Sequence, residues 1–286
     1  MKRTTIHISA AIALLLGLAA CTQDEAGFLP EGAEGTPIVF TATGLKPAAT
    51  AIASTRAPVD GNWEGVQSVA VLMNGMVKTY NATPSTANPT STTLTSTAPH
   101  RWTNHNDITV TAWWPYTEGE TTLPAVKVKA NQSAQKDFET SDLIVADGQT
   151  VTYGSPTLRF THRTARVTIE MKPGTGFTSV AGATVSLMSL SADNGNPTAI
   201  KTYNASGNTY EALTTPQTVA AGKPFIRVEL GGGIFYFRPQ TNVVLEAGNR
   251  YTYTITVKAN NGIEVTEAKS GAWTPGVEET VESIVF

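Results

Sequence analysis

The chain has 286 residues, a formal charge of −3 at pH 7 from 20 basic and 23 acidic side chains, and one cysteine. With no basic tract, this balance argues against nucleic acid as a partner, and a lone thiol allows neither an internal disulfide nor a thiolate metal site. The length suffices to bury a sizeable core in one or two domains without disulfides.

Residues 1–20 come first. Lys2 and Arg3 make a basic start, and residues 10–20 are apolar but too short to span a bilayer, the pattern of a secretory signal. The ending Leu18-Ala19-Ala20-Cys21 resembles a bacterial lipobox, in which the cysteine thiol is acylated and becomes the first residue. Each buried acyl CH₂ contributes about 0.8 kcal/mol, so two or more chains hold a protein on a membrane through this lipid anchor. The plainer alternative is an incidental cysteine behind an ordinary signal. Residues 21–36 then read as a linker, with Asp24 and Glu25 beside the cysteine.

Beyond residue 36, side-chain periods of two dominate and helical periods are scarce. In residues 37–44, Ile38, Phe40 and Ala42 share one face. Two strand-like runs flank Asn74-Gly75, a dipeptide suited to a type I′ turn because both positions need positive φ. Ile108, Val110, Ala112 and Trp114 alternate with threonines and Trp113. Residues 131–142 hold the one candidate for a short helix. Ala165, Val167, Ile169 and Met171 form the next alternation. A hairpin follows around residues 231–233, and another around Asn261-Gly262 after Tyr251, Tyr253, Ile255 and Val257. Many short strands rich in Thr, Val and Tyr imply an all-β fold of the sandwich type. Leu158 and Phe160 lie at even positions whereas Ala165 and Val167 lie at odd ones. A strand cannot change face without a bulge, a bend or a change of sheet, so two sandwich domains are expected, 37–160 and 161–286. Two stretches read as exposed: the Thr/Ser/Pro-rich residues 81–99, and the small, nearly patternless residues 44–61.

Catalytic constellations are absent: no G-x-S-x-G, no H-E-x-x-H and no phosphate loop, so no enzymatic role and no cofactor is expected. His100 and His105 lie five apart near Asp107, but odd spacing puts them on opposite faces of a strand, and no metal site is expected. Asp137, Glu139 and Asp142 read as a solvated acidic turn rather than an acid/base pair. His162, at the phase break, reads as structural. Trp113 and Trp114 offer a surface for ligand stacking, on which one ring belongs to the core and the other is free.

Three stretches carry a family resemblance: Ile108-Thr-Val-Thr-Ala-Trp-Trp-Pro-Tyr116; residues 141–171, with Ser-Asp-Leu followed by Leu158-x-Phe160-x-His162; and residues 245–273, with Gly248-x-x-Tyr251-x-Tyr253-x-Ile255-x-Val257 closing at Trp273. In this order, behind a lipobox, they resemble the fimbrillins, subunits and adhesins of type V pili of the Bacteroidales. The resemblance spans essentially the whole chain after the signal. It implies two tandem transthyretin-like β-sandwich domains and a lipoprotein precursor carried to the outer membrane and the cell surface. There an arginine-specific protease removes the first strand, and a donor strand from a neighbouring fimbrial subunit fills the groove. On these residues, Ile38 and Phe40 would plug the removable strand. Arg56, the one arginine in the loop behind it, would be the processing site, against the plainer view of a solvated loop charge. Val281, Ile284 and Phe286 would belong to the donor strand, unless that segment completes its own domain. The competing function is a non-polymerising surface lipoprotein that binds glycan or host matrix.

Overall fold

The computed structural model describes residues 35–45 and 59–273, except 86, 87, 89, 194, 196 and 261. Cys21, Arg56, Val281, Ile284 and Phe286 lie outside the described residues.

The first sheet is built from β1 (Phe40–Thr43), β2 (Ser68–Met73), β3 (Met76–Pro84), β4 (Thr92–Thr95), β5 (Ile108–Trp114), β6 (Ile144–Val151), β7 (Thr157–Arg159) and β8 (Thr161–His162), with a helix, α1 (Gln135–Glu139), between β5 and β6. The strand order is β7-β1-β4-β3-β2-β5-β6-β8. Its two ends, β7 and β8, are consecutive in the chain, so the sheet curls until its edges approach, and Gln149 on β6 accepts from the Arg159 amide of β7 at 2.9 Å. The expected Asn74-Gly75 turn joins β2 to β3, with φ of 51° and 74°. Inside the curl lies the first core, with Ile38, Phe40, Trp63, Tyr80, Leu94, Val110, Leu158 and Phe160 among its members.

After His162 the chain changes sheet. The strands that follow are β9 (Ala165–Pro173), β10 (Thr184–Leu190), β11 (Thr198–Lys201), β12 (Tyr203–Ser206), β13 (Thr209–Thr214), β14 (Gln217–Val219), β15 (Ile226–Leu230), β16 (Gly233–Phe237), β17 (Val243–Leu245), β18 (Asn249–Lys258) and β19 (Gly262–Ala272). They form sheets ordered β12-β13-β9-β18-β19 and β11-β10-β15-β16, plus the pair β14-β17. The β9 alternation faces inward, as do Tyr251, Tyr253, Ile255 and Val257 of β18, and these enclose the second core. The architecture is an all-β sandwich fold. The phase break has its physical origin here, because between Phe160 and Ala165 the chain leaves one sheet and enters another.

Three segments that precede β9 also contribute to the second core: Val59, Val128 and Phe138 are buried in it. Phe138 brings α1 with it, since its ring stacks on Tyr203 at 5.4 Å.

Two expectations of exposure are corrected. Within residues 81–99, β3 continues to Pro84, and β4 lies between β3 and β1 with Thr92 and Leu94 buried. Threonine is β-branched and fits a pleated sheet, so a Thr-rich run serves as a strand wherever its alternate positions meet the core. Of residues 44–61, positions 46–58 lie outside the described residues; at the described ends, Leu45 is buried in the first core and Val59 in the second.

Candidate functional site

The strand expected to be removable, β1, is an interior strand. It pairs antiparallel with β4, Phe40 opposite Leu94, and parallel with β7, Thr41 opposite Thr157. Further main-chain bonds secure it along its length: Ile38 N–H to the His100 carbonyl at 2.9 Å, Trp102 N–H to the Thr36 carbonyl at 2.9 Å, Thr41 N–H to the Pro156 carbonyl at 2.8 Å and Phe160 N–H to the Thr43 carbonyl at 2.8 Å. Ile38, Phe40 and Ala42 are buried, whereas Val39 is 46% exposed. The Phe40 ring meets Tyr80 edge-on at 5.3 Å. At the end of β1, Gly44 has φ of +99°, and a Cβ there would lie 2.3 Å from the Phe160 carbonyl oxygen, so only glycine lets the strand end this close to β7.

Beneath Phe40 lies a polar pair. His100 N–H donates to the Tyr80 hydroxyl at 2.8 Å, and His100 Nε2 lies 3.0 Å from the Val71 carbonyl. Burial holds the His100 imidazole below its usual value, helped by nearby Lys78 and opposed by the Val71 contact. Burial also pushes the Tyr80 phenol up to about 12, against the partial offset of the His100 N–H. The fold disfavours the imidazolium, so the stability gained from neutral His100 is present above pH 6.5 and lost as pH falls below it. It also disfavours the phenolate, so the Tyr80 contribution is present below pH 10 and lost as pH climbs towards 12. Unfolding free energy measured against pH should therefore decline on both sides. His100→Gln should shrink the acid limb, and Tyr80→Phe the alkaline one.

A second cluster joins the two cores. The Val59 carbonyl accepts from both Arg166 Nη1 and Trp273 Nε1, each at 3.0 Å. Arg166 also pairs with Asp60 at 3.0 Å and with Glu211 at 2.8 Å, and its guanidinium lies 5.9 Å from the Trp273 ring centre. On the far side, Trp273 stacks on His162 at 3.8 Å and 10°. His162 Nδ1 lies 2.7 Å from Asp142, which also accepts from the Thr164 hydroxyl at 2.7 Å. Where the described chain resumes at Val59, it is thus fastened to the second core, beside the last described residue, Trp273.

Other expected site residues fall elsewhere. Trp113 is fully buried against Ala70, Leu143 and Val145, and its indole N–H donates to Glu120 at 2.9 Å. Trp113 is thus the ring of the pair that belongs to the core, and with no exposed face it cannot stack a ligand. Trp114 is half-buried and packs against the first core. The expected acidic turn divides: Asp137 pairs with Lys129 and Glu139 accepts from Gln135, both at the surface, but Asp142 is buried with His162. Asp142 is therefore corrected from a solvated acid to a structural one. His105 lies against Tyr153, away from the His100 contacts. Among the described residues, no group of three or more His, Cys, Asp or Glu is placed to hold a metal. The Val59–Arg166–Glu211–Trp273 cluster was not anticipated; the one sequence signal touching it was Trp273, which closes the third family-like stretch.

Comparison with known proteins agrees with this architecture. No curated protein matches the sequence. In overall fold the chain is similar to a candidate cell adhesion protein from Bacteroides uniformis, with 21% identity, a TM-score of 0.56 and coverage of 83% of this chain and 98% of that one. It is likewise similar to one from Bacteroides ovatus, with 16% identity, a TM-score of 0.60 and coverage of 84% and 99%. Residues 55–273 match the model of the fimbrillin-like family. That match begins just before the anchored Val59 and ends at Trp273, so it takes in both partners of the joint and most of both cores, and on it the chain belongs to the fimbrillin-like family of fimbrial, cell-surface proteins.

Proposed function

We propose that this chain is a non-catalytic fimbrial subunit. It is exported as a lipoprotein through Cys21 to the outer membrane, and it assembles by strand exchange after a cut at Arg56 releases β1. The observation that carries this reading is the position of β1: it is interior, with Ile38 and Phe40 buried, and the chain that resumes at Val59 is anchored separately in the second core. A cut between Leu45 and Val59 would therefore sever β1 without loosening the second core. Losing β1 would uncover the apolar walls made by Tyr80, Leu94, Leu158 and Phe160 and strip β4 and β7 of their shared partner. An exposed row of unpaired N–H and C=O groups beside an apolar groove invites a strand from another molecule.

Treating the purified full chain with an arginine-specific protease should produce a clean cut after Arg56, followed by an ordered ladder of assemblies on a non-denaturing gel. Arg56→Ala should remain uncut at that bond and unassembled. A clean cut that yields no ladder would sink the exchange mechanism.

A further inference from the structure

The sheet β11-β10-β15-β16 turns Val185, Leu187, Ile200, Ile226 and Val228 into the second core. Alternate residues of the same strands therefore face outward. Register sets four of them in one row across the sheet: Lys201 opposite Ser186, Ser186 opposite Arg227, and Arg227 opposite Tyr236. The next row holds Thr184, Glu229 and Ile234. On the edge strand β16, Tyr236 is 42% exposed and Ile234 54%. Just past β16, the Arg238 guanidinium lies 5.9 Å from the Tyr236 ring centre, and its Nη1 donates to the Gly222 carbonyl at 3.2 Å. We propose that this face binds an anionic polysaccharide, a chain whose sugar rings carry carboxylate or sulfate groups. One sugar ring rests on Tyr236, and the anionic groups meet Arg227, Arg238 and Lys201.

The charge of the face suits that ligand although the charge of the whole chain does not. The chain carries −3 overall. In these four strands, however, Glu229 is the one acid, against Lys201 and Arg227, with Arg238 next to them. Glu229 is engaged by Arg227 through Nη1. A guanidinium has five N–H donors in a planar fork, so Arg227 keeps donors for a carboxylate or sulfate. Lys201 and Arg238 form no ion pair among the described residues. Anion binding at these two displaces no internal partner.

The shape suits a chain rather than a single sugar. Three strand spacings, about 14 Å, separate Lys201 from Tyr236 along an open strip, so a ligand must reach across several strands to meet both ends. Tyr236 and Ile234 supply apolar surface for the C–H face of a sugar ring, with charged groups placed to hold its substituents. Trp113 has no exposed face for that purpose, whereas Tyr236 has one. A polyanion without rings would use the cations alone and gain nothing from the aromatic side chain. Nucleic acid calls for a longer track of cations than this row provides. The face contains no residue of β1 or of its pockets, so the inference stands apart from the strand-exchange reading.

The test uses the full, uncut chain and reads binding by fluorescence anisotropy with four labelled probes: oligogalacturonate, dextran sulfate, neutral dextran and inorganic polyphosphate. At least one of the two charged saccharides should bind, and should do so about tenfold more tightly than dextran or polyphosphate. Which of the two binds better separates a carboxylate ligand from a sulfate one. Tyr236→Ala, and Arg227→Gln combined with Arg238→Gln, should each weaken binding about tenfold. Arg159→Gln with Lys172→Gln removes two exposed charges from other sheets and should change nothing. Glu229→Gln should tighten binding several-fold, because it removes the one acid and releases Arg227, a gain that damage to the fold could not produce. Failure of both charged saccharides to bind would overturn the inference, as would equal binding of dextran or polyphosphate. So would a Tyr236→Ala chain that binds like the parent, a Glu229→Gln chain that binds more weakly, or single-stranded DNA outcompeting the saccharide. None of these outcomes depends on a cut at Arg56, and ladder formation reports on assembly alone.

Discussion

Arg166→Met should destabilise the second core by about 3–5 kcal/mol, the usual cost of removing one partner of a buried ion pair. Arg166 is 3% exposed and Glu211 2%, and the two meet at 2.8 Å. Without the guanidinium, the Glu211 carboxylate keeps the Thr168 hydroxyl at 3.2 Å and the more distant Arg250 at 3.9 Å, which do not neutralise it as a direct charge contact does. The Val59 carbonyl would retain Trp273 alone. At about 2–4 °C per kcal/mol for a protein of this size, the melting temperature should fall by roughly 10 °C, measured by thermal unfolding under circular dichroism. The control is Arg166→Met with Glu211→Leu. Much of the cost lies in stranding a charge, so replacing both partners by apolar groups of similar size should recover most of the loss. A single substitution that leaves the melting temperature unchanged would show that the joint does not hold the cores together. Trp273 emission should shift to the red in the single variant, because that indole packs between His162 and Arg166.

That joint also marks the limit of what the sequence reveals. Ile38, Phe40 and Ala42 could be read as one strand face because their burial depends on a period of two written into five neighbouring residues. Asn74-Gly75 could be read as a turn because its positive φ values are a local demand. The change of parity between Phe160 and Ala165 located the change of sheet for the same reason. By contrast, Val59 and Trp273 are separated by 214 positions and Val59 and Arg166 by 107, and no local pattern encodes either contact. Asp137 and Asp142 illustrate the problem at short range. Both are acids in one polar stretch, yet Asp142 is buried because His162 and Thr164 reach it from 20 and 22 positions away. Threonine misled in the other direction. In residues 92–95 it looked like loop composition, and only the presence of Leu94 between β1 and β3 shows that Thr92 faces the core.

Phe40→Ala should cost about 3–5 kcal/mol, because it deletes a fully buried ring and leaves a cavity against Tyr80 that the packed first core does not collapse to fill. Val39→Ala, one residue away at 46% exposure, should stay within about 0.5 kcal/mol. The contrast tests the energetic basis of the proposed strand exchange. In the uncut chain β1 is covalently tethered, so Phe40→Ala appears as lower stability in denaturant unfolding. If the chain is cut at Arg56 as proposed, the same ring is part of what retains the severed strand, so its loss should speed departure of β1 and the arrival of a replacement. Precursor stability and assembly rate should therefore move in opposite directions in Phe40→Ala, while both stay near the parent values in Val39→Ala. Equal stability losses at the two positions would mean that β1 is held by its main-chain bonds rather than by its pockets, and a donated strand would then need no particular side chains.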